Sequence, residues 1–107
     1  MKYAVLIYSS EEGRAAPADH EIYMQLSGRE TTVGGAQLQP VATATTVRVR
    51  DGEALTTDGP FAETKEAIAG FDLIECGSMD EAIEIAGKHP VARAGTVEIR
   101  ELLDWPE

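Results

Sequence analysis

Cysteine is almost missing from this chain. Cys76 stands alone among 107 residues, so no internal disulfide can form. That usage suits a reducing compartment, and the cytoplasm is the expected location. Cys76 sits in an apolar stretch and reads as a buried, inert thiol. A nucleophilic role would need a nearby histidine or helix N-terminus to lower its pKa, and only Ser78, opening a helix just downstream, speaks for it. Basic side chains are scarce as well: 9 against 19 acidic ones, a formal net charge of −10. Such a surface repels phosphate backbones and anionic membranes, and no basic cluster overrides it. Nucleic acid and membrane are therefore not expected partners, although a localised basic patch can still hold a small anion. Long apolar runs are missing too. The stretch from Ala4 to Tyr8 is too short to span a bilayer or to form a signal-peptide core. The two histidines are distant in sequence, with no Cys pair or HExxH spacing, so no metal is expected. The glycines form neither GxGxxG nor a P-loop, so no nucleotide cofactor is indicated, and no Gly-x-Ser-x-Gly elbow occurs.

What is present fits one domain spanning 1–107, with 43% hydrophobic and 26% charged residues. Lys2 to Tyr8 is apolar on both alternating faces, the pattern of a central strand covered on each side. Ser9 to Ala16 reads as a loop. Pro17 to about Ser27 reads as a short helix burying Ile22, Tyr23 and Leu26, with Gly28 as its stop. Val33 to Gln39 is a weak strand, and its Gly34-Gly35 pair predicts a bulge or a close backbone approach. Thr43 to Arg50 sets Val47 and Val49 on one face and Arg48 and Arg50 on the other. Asp51-Gly52 predicts a type I′ turn, with Glu53 to Thr57 returning as the partner strand. Ala67 to Cys76 is a further long strand. Ser78 with Glu81 has capping-box spacing and opens a helix whose buried stripe is expected at Met79, Ala82, Ile83 and Ala86; Gly87 and Pro90 end it. Thr96 to Leu102 alternates as the last strand.

Two helices against four or five strands in this order predict an α+β fold, a ferredoxin-like plait with both helices on one face of an antiparallel sheet. The second sheet face would then expose apolar side chains to water. Another copy of the same sheet is the simplest cover, so a homodimer is expected.

The segment TDGPFAETKE, Thr57 to Glu66, resembles the signature of the DGPF proteins within the YCII-related family. KYAVLIY, VGGAQLQP and GFDLIECGSMDEAIEIAGKHPVARAGTVEIR resemble the same pattern, so the likeness covers nearly the whole chain. The resemblance implies a dimeric α+β barrel and leaves the reaction unassigned. It also implies a candidate histidine near the start of the first helix, matched by His20, and an Asp-Pro near the end of the second, where this chain reads His89-Pro90. Two further departures are a shortened first-helix region and Asp72 in place of an aromatic after Gly70-Phe71.

His20 has the side chain for a general base near neutral pH, and a helix N-terminus would favour its neutral form; the structural alternative is a capping or exposed histidine. Asp58 can orient His20, bind a hydroxyl or act as a base, or simply accept backbone N–H groups in its turn. Phe61 plugs the core beneath the loop or lines a pocket. Lys65 can hold a carboxylate or enolate oxygen, or belong with Glu63 and Glu66 to a solvated charge cluster. Arg48, on one strand face with Arg50, can hold an anion, or belong to a solvated or interface face paired across the sheet with Glu98 and the neighbours of Arg100. The expectation is a small-molecule-binding protein, with cofactor-independent proton transfer such as isomerisation or elimination, in which His20 and Asp58 are catalytic and Arg48, Phe61 and Lys65 hold the ligand. The alternative is a non-catalytic regulatory or interaction module. Genes for proteins resembling the DGPF type often neighbour those of extracytoplasmic-function sigma factors, which points that module toward a sigma-factor-related partner.

Overall fold

A computed structural model describes residues 1–10, 32–93 and 95–103. The helix expected over Pro17–Ser27, and His20 with it, lies outside the described residues. Among the described residues six strands, which we number in chain order, carry the architecture: β1 Lys2–Ser9, β2 Thr32–Gln37, β3 Thr45–Arg50, β4 Glu53–Asp58, β5 Ala67–Glu75 and β6 Thr96–Glu101. Among the described residues one α-helix, α1, runs Met79–Ala86. Four strands form an antiparallel sheet in the order β2-β5-β1-β6. The result is an α+β fold whose strand order is consistent with a ferredoxin-like plait.

Alternation fixes the two faces of that sheet. Tyr3, Val5 and Ile7 of β1 are buried, as are Gly70, Asp72 and Ile74, their partners across the β1–β5 register. Tyr3, Val5, Ile7 and Ile74, with Cys76, Ala82, Ile85, Ala86 and Val91 and backed by Val97 and Ile99, form the hydrophobic core. Each large aliphatic side chain in it contributes roughly 1.5–3 kcal/mol through burial. Cys76 is buried and free, and its Sγ lies 3.4 Å from the Ser78 carbonyl. The opposite face carries Ala4, Leu6 and Tyr8 against Leu73, Phe71 and Ile68. These side chains are apolar yet only half-buried, and Ile68 is exposed.

Helix α1 begins where its capping residues predict. Ser78 Oγ accepts from the Glu81 N–H at 3.2 Å, while the Glu81 carboxylate accepts from the Gly77 N–H at 2.9 Å, one residue earlier than a standard capping box. The buried stripe differs from the expected one. Ala82, Ile85 and Ala86 face the sheet, whereas Met79 and Ile83 are exposed. The helix is rotated so that its contact stripe runs through Ile85.

Gly34-Gly35 behaves as its sequence predicts. The β2–β5 register shifts between Thr32 and Gly34, and Gly35 takes φ 143. A Cβ at Gly35 would sit 2.5 Å from the Phe71 carbonyl oxygen and 2.6 Å from Asp72 Oδ1. Only glycine lets β2 approach β5 there.

The hairpin differs from expectation more. Thr43 belongs to a 3-10 turn, Val41–Thr43, and β3 starts at Thr45. Asp51 and Gly52 adopt φ 51 and 78, and Arg50 pairs Glu53 across a two-residue turn, as type I′ geometry requires. Yet β3 and β4 pair only with each other and form a separate two-stranded sheet. Val47 and Val49 on one face of the hairpin are each 60% exposed, and Leu55, opposite Arg48 on the other face, is 48% exposed. The chain measures 44 × 40 × 18 Å with a radius of gyration of 15.6 Å. A compact domain of this length has about 13 Å.

Candidate functional site

The signature turn follows β4 directly. Gly59 takes φ 96, and its N–H donates to the Ala44 carbonyl at 2.6 Å. Thr46 Oγ1 donates to the Gly59 carbonyl at 2.8 Å. These two bonds tie the exit of the hairpin to its entrance and turn the following residues outward. Phe61 is consequently 78% exposed, which overturns its reading as a core plug.

Two grooves meet at Phe61 and Pro60. The first, about 320 Å³, is lined by Thr46, Arg48, Leu55 and Thr57 of the hairpin together with Phe61. The second, about 360 Å³, is lined by Tyr8, Val41, Thr64, Glu66 and Ile68 on the other side of the ring. Tyr8 and Ile68 are opposite one another on the uncovered sheet face, so the second groove continues that face at its rim. Arg48 and Phe61 thus share one groove. Asp58 and Lys65 are both exposed, and neither lines either groove. His20 lies outside the described residues, so the His20–Asp58 pairing does too.

Chemically the grooves differ. In the first, the Arg48 guanidinium forms no ion pair among the described residues and stands beside two threonine hydroxyls and apolar walls, a setting for an anion. The cross-sheet pairing of Arg48 with Glu98 does not occur. Glu98 instead lies 3.7 Å from Arg100 on its own strand, and the hairpin belongs to another sheet. In the second groove, beside the hydroxyl-bearing Tyr8 and Thr64, the charged side chain is Glu66. Its residue is half-buried, and its Oε2 is fully buried and accepts no hydrogen bond among the described residues. Thr64 Oγ1 donates to the Glu66 carbonyl at 2.5 Å and holds the main chain at that point. Sequence reasoning set Glu66 aside as one member of a surface charge cluster. The cue was its place two residues before Ile68, which the strand period puts on the same face.

A second polar group missed by the sequence is His89. The expected Asp-Pro position holds a histidine that is 3% exposed, and its Nδ1 accepts from the Val91 N–H at 3.1 Å. An accepting Nδ1 means that the neutral ring carries its proton on Nε2. The ring borders a half-open cavity of about 20 Å³ with Ile7, Gln37, Gly70 and Val91, space for roughly one water. No organic substrate fits there. Asp72, the other departure from the family pattern, is 1% exposed on the helix-covered side of β5. Its carboxylate therefore faces the protein interior and not the uncovered face.

Among the described residues no helix is long and apolar enough to cross a membrane. The YCII-related domain model matches residues 1–106. An uncharacterized protein of Rhizobium meliloti (strain 1021), R00369, is 40% identical, with 95% of this chain and 92% of that protein covered. The alignment spans 114 positions, more than the 107 residues of this chain, so the relative carries residues within the matched span that this chain lacks. On the family match along nearly its whole length and on this relative, the chain belongs to the YCII-related domain family.

Proposed function

We propose that this protein is a cytoplasmic homodimer of the dimeric α+β barrel type that binds a small organic molecule at the rim of its sheet, next to the signature turn. One observation supports this above the others. The sheet face bearing Leu6, Tyr8, Phe71 and Leu73 is apolar and only half-buried, and it runs without interruption into the groove under Phe61. An apolar face of that extent is unfavourable in water, and a second copy of the same sheet is its simplest cover. Covering the face would also roof the two grooves and exclude water from them, which strengthens every polar contact inside.

The chemistry we assign to this pocket is proton transfer without a metal or organic cofactor. His20 is the base of that scheme, Arg48 and Phe61 hold the ligand in the first groove, and Asp58 and Lys65 act from outside the groove linings, as orienter of His20 and as anion holder. A thermal-shift panel of small metabolites tests it. At least one compound should raise the melting temperature of the wild type and lose that effect in both His20→Ala and Phe61→Ala. If no compound stabilises the wild type while a sigma-factor pull-down succeeds, the interaction-module reading replaces this one.

A further inference from the structure

Acidic side chains outnumber basic ones 19 to 9 in this chain, so an arginine has carboxylates in excess to pair with. Arg48 nevertheless forms neither an ion pair nor a side-chain hydrogen bond among the described residues. The hairpin register explains why. Its cross-strand partner is Leu55, while Glu53, on the same face, is opposite Arg50. Arg48 instead lines the groove of about 320 Å³, where it is the one charged residue among those described. Leu55, Pro60 and Phe61 supply apolar wall, and Thr46 and Thr57, paired across the strands, supply hydroxyls. The Thr46 proton is committed to the Gly59 carbonyl. Thr57 makes no side-chain hydrogen bond among the described residues, which leaves its O–H to donate. Phe61 adds a second observation. Its ring is 78% exposed on a turn that Gly59 ties to the hairpin at two points, so a fixed backbone carries it into water. An aromatic wall beside a guanidinium and a hydroxyl donor suits a flat apolar body that carries an anionic group. One guanidinium sets that charge: its two parallel N–H groups match the two oxygens of a single carboxylate. A phosphate dianion would keep part of its charge unmatched, and the net charge of −10 repels it twice as strongly.

We infer that the groove between the hairpin and Phe61 is a binding site for a monocarboxylate on a flat apolar body, with Arg48 receiving the carboxylate and Thr57 as a second donor. The inference rests on the small-molecule reading above and deepens it by naming the ligand class. It also sets Arg48, which lines the groove, ahead of Lys65, which does not, as the anion holder.

Four probes built on one ring test the assignment: benzoate, benzyl alcohol, benzylamine and phenyl phosphate, titrated into the full chain and followed by backbone amide shifts in NMR. Benzoate is expected to bind saturably and tightest of the four, shifting the amides of Arg48, Thr57 and Phe61. Arg48→Met should weaken benzoate by about tenfold or more, the loss for a charge-assisted hydrogen bond, and leave benzyl alcohol unchanged. Arg48→Lys, which keeps the charge and loses the fork, should retain only part of the benzoate affinity. Phe61→Ala should weaken benzoate and alcohol alike. Arg48 is exposed, so both substitutions fit its site, and the amide spectrum confirms that the hairpin is formed. Benzoate binding that survives Arg48→Met, or benzylamine or phenyl phosphate binding as tightly in the same groove, overturns the inference and spares the pocket. If none of the four probes binds, the inference falls, and the metabolite panel decides the small-molecule reading on its own.

Discussion

Tyr3 shows how much a single side chain can be constrained by its place in a small core. It is 1% exposed, and its hydroxyl donates to the Met1 Sδ at 3.6 Å. Burial raises its pKa above the ordinary 10.0, and the nearby negative potential of Glu101 and Cys76 raises it further. The folded state therefore holds the tyrosine proton more tightly than the unfolded chain does. Stability from this group is complete below pH 10 and is lost as pH climbs through the raised folded value. Tyr3→Phe, which cannot ionise, should flatten the alkaline limb of a melting-temperature profile measured from pH 8 to 11. An unchanged limb would mean that other groups cause the alkaline loss. Residue by residue, the sequence was readable wherever one side chain has one dominant preference. Gly34-Gly35 announced a close approach, and Asp51-Gly52 announced its turn. It was unreadable where the role depends on what lies opposite. Glu66 looks like any member of an ETKE cluster until the groove beside it is seen. His89 reads as a missing aspartate until its ring is found buried.

At the scale of elements, the strands were legible because alternation over six or more residues leaves little freedom in which face is buried. Helix α1 was located correctly by Ser78 and Glu81 but misread in phase. Eight residues give too few turns for Met79 and Ile83 to be told apart from Ile85 by spacing alone, and the sheet decided among them. The hairpin was read correctly as a hairpin, yet no local pattern says whether β3 and β4 join the main sheet. The return into β6 makes a sharper test of this level. Gly95 N–H donates to the Val91 carbonyl at 2.7 Å. A Cβ at Gly95 would overlap the Tyr8 carbonyl oxygen and lie 2.8 Å from Val91 Cγ1. The first of these neighbours is the backbone of β1, which the sheet holds in place. Gly95→Ala should cost about 1–3 kcal/mol and lower the melting temperature by several degrees. A melting temperature within a degree of wild type would show that the β1–β6 junction is looser than described.

For the whole molecule, one sheet face is packed under α1 and the other is apolar and half-open, while the hairpin projects with Val47, Val49 and Leu55 exposed. A free two-stranded hairpin is marginal in water, and a slab 18 Å thick leaves much of its sheet near solvent. The second face could be anticipated from the two-sided apolarity of Lys2–Tyr8, whereas what covers it depends on surfaces that no periodicity encodes. Our account makes the cover a second copy and sets the ligand groove at its edge. Sedimentation equilibrium at tens of micromolar, on wild type and on Leu6→Glu, tests that claim most directly. Wild type should have twice the 11.5 kDa mass of the chain, and a charge in the middle of the uncovered face should return it to a single copy. A wild type that sediments as one chain at that concentration would contradict it.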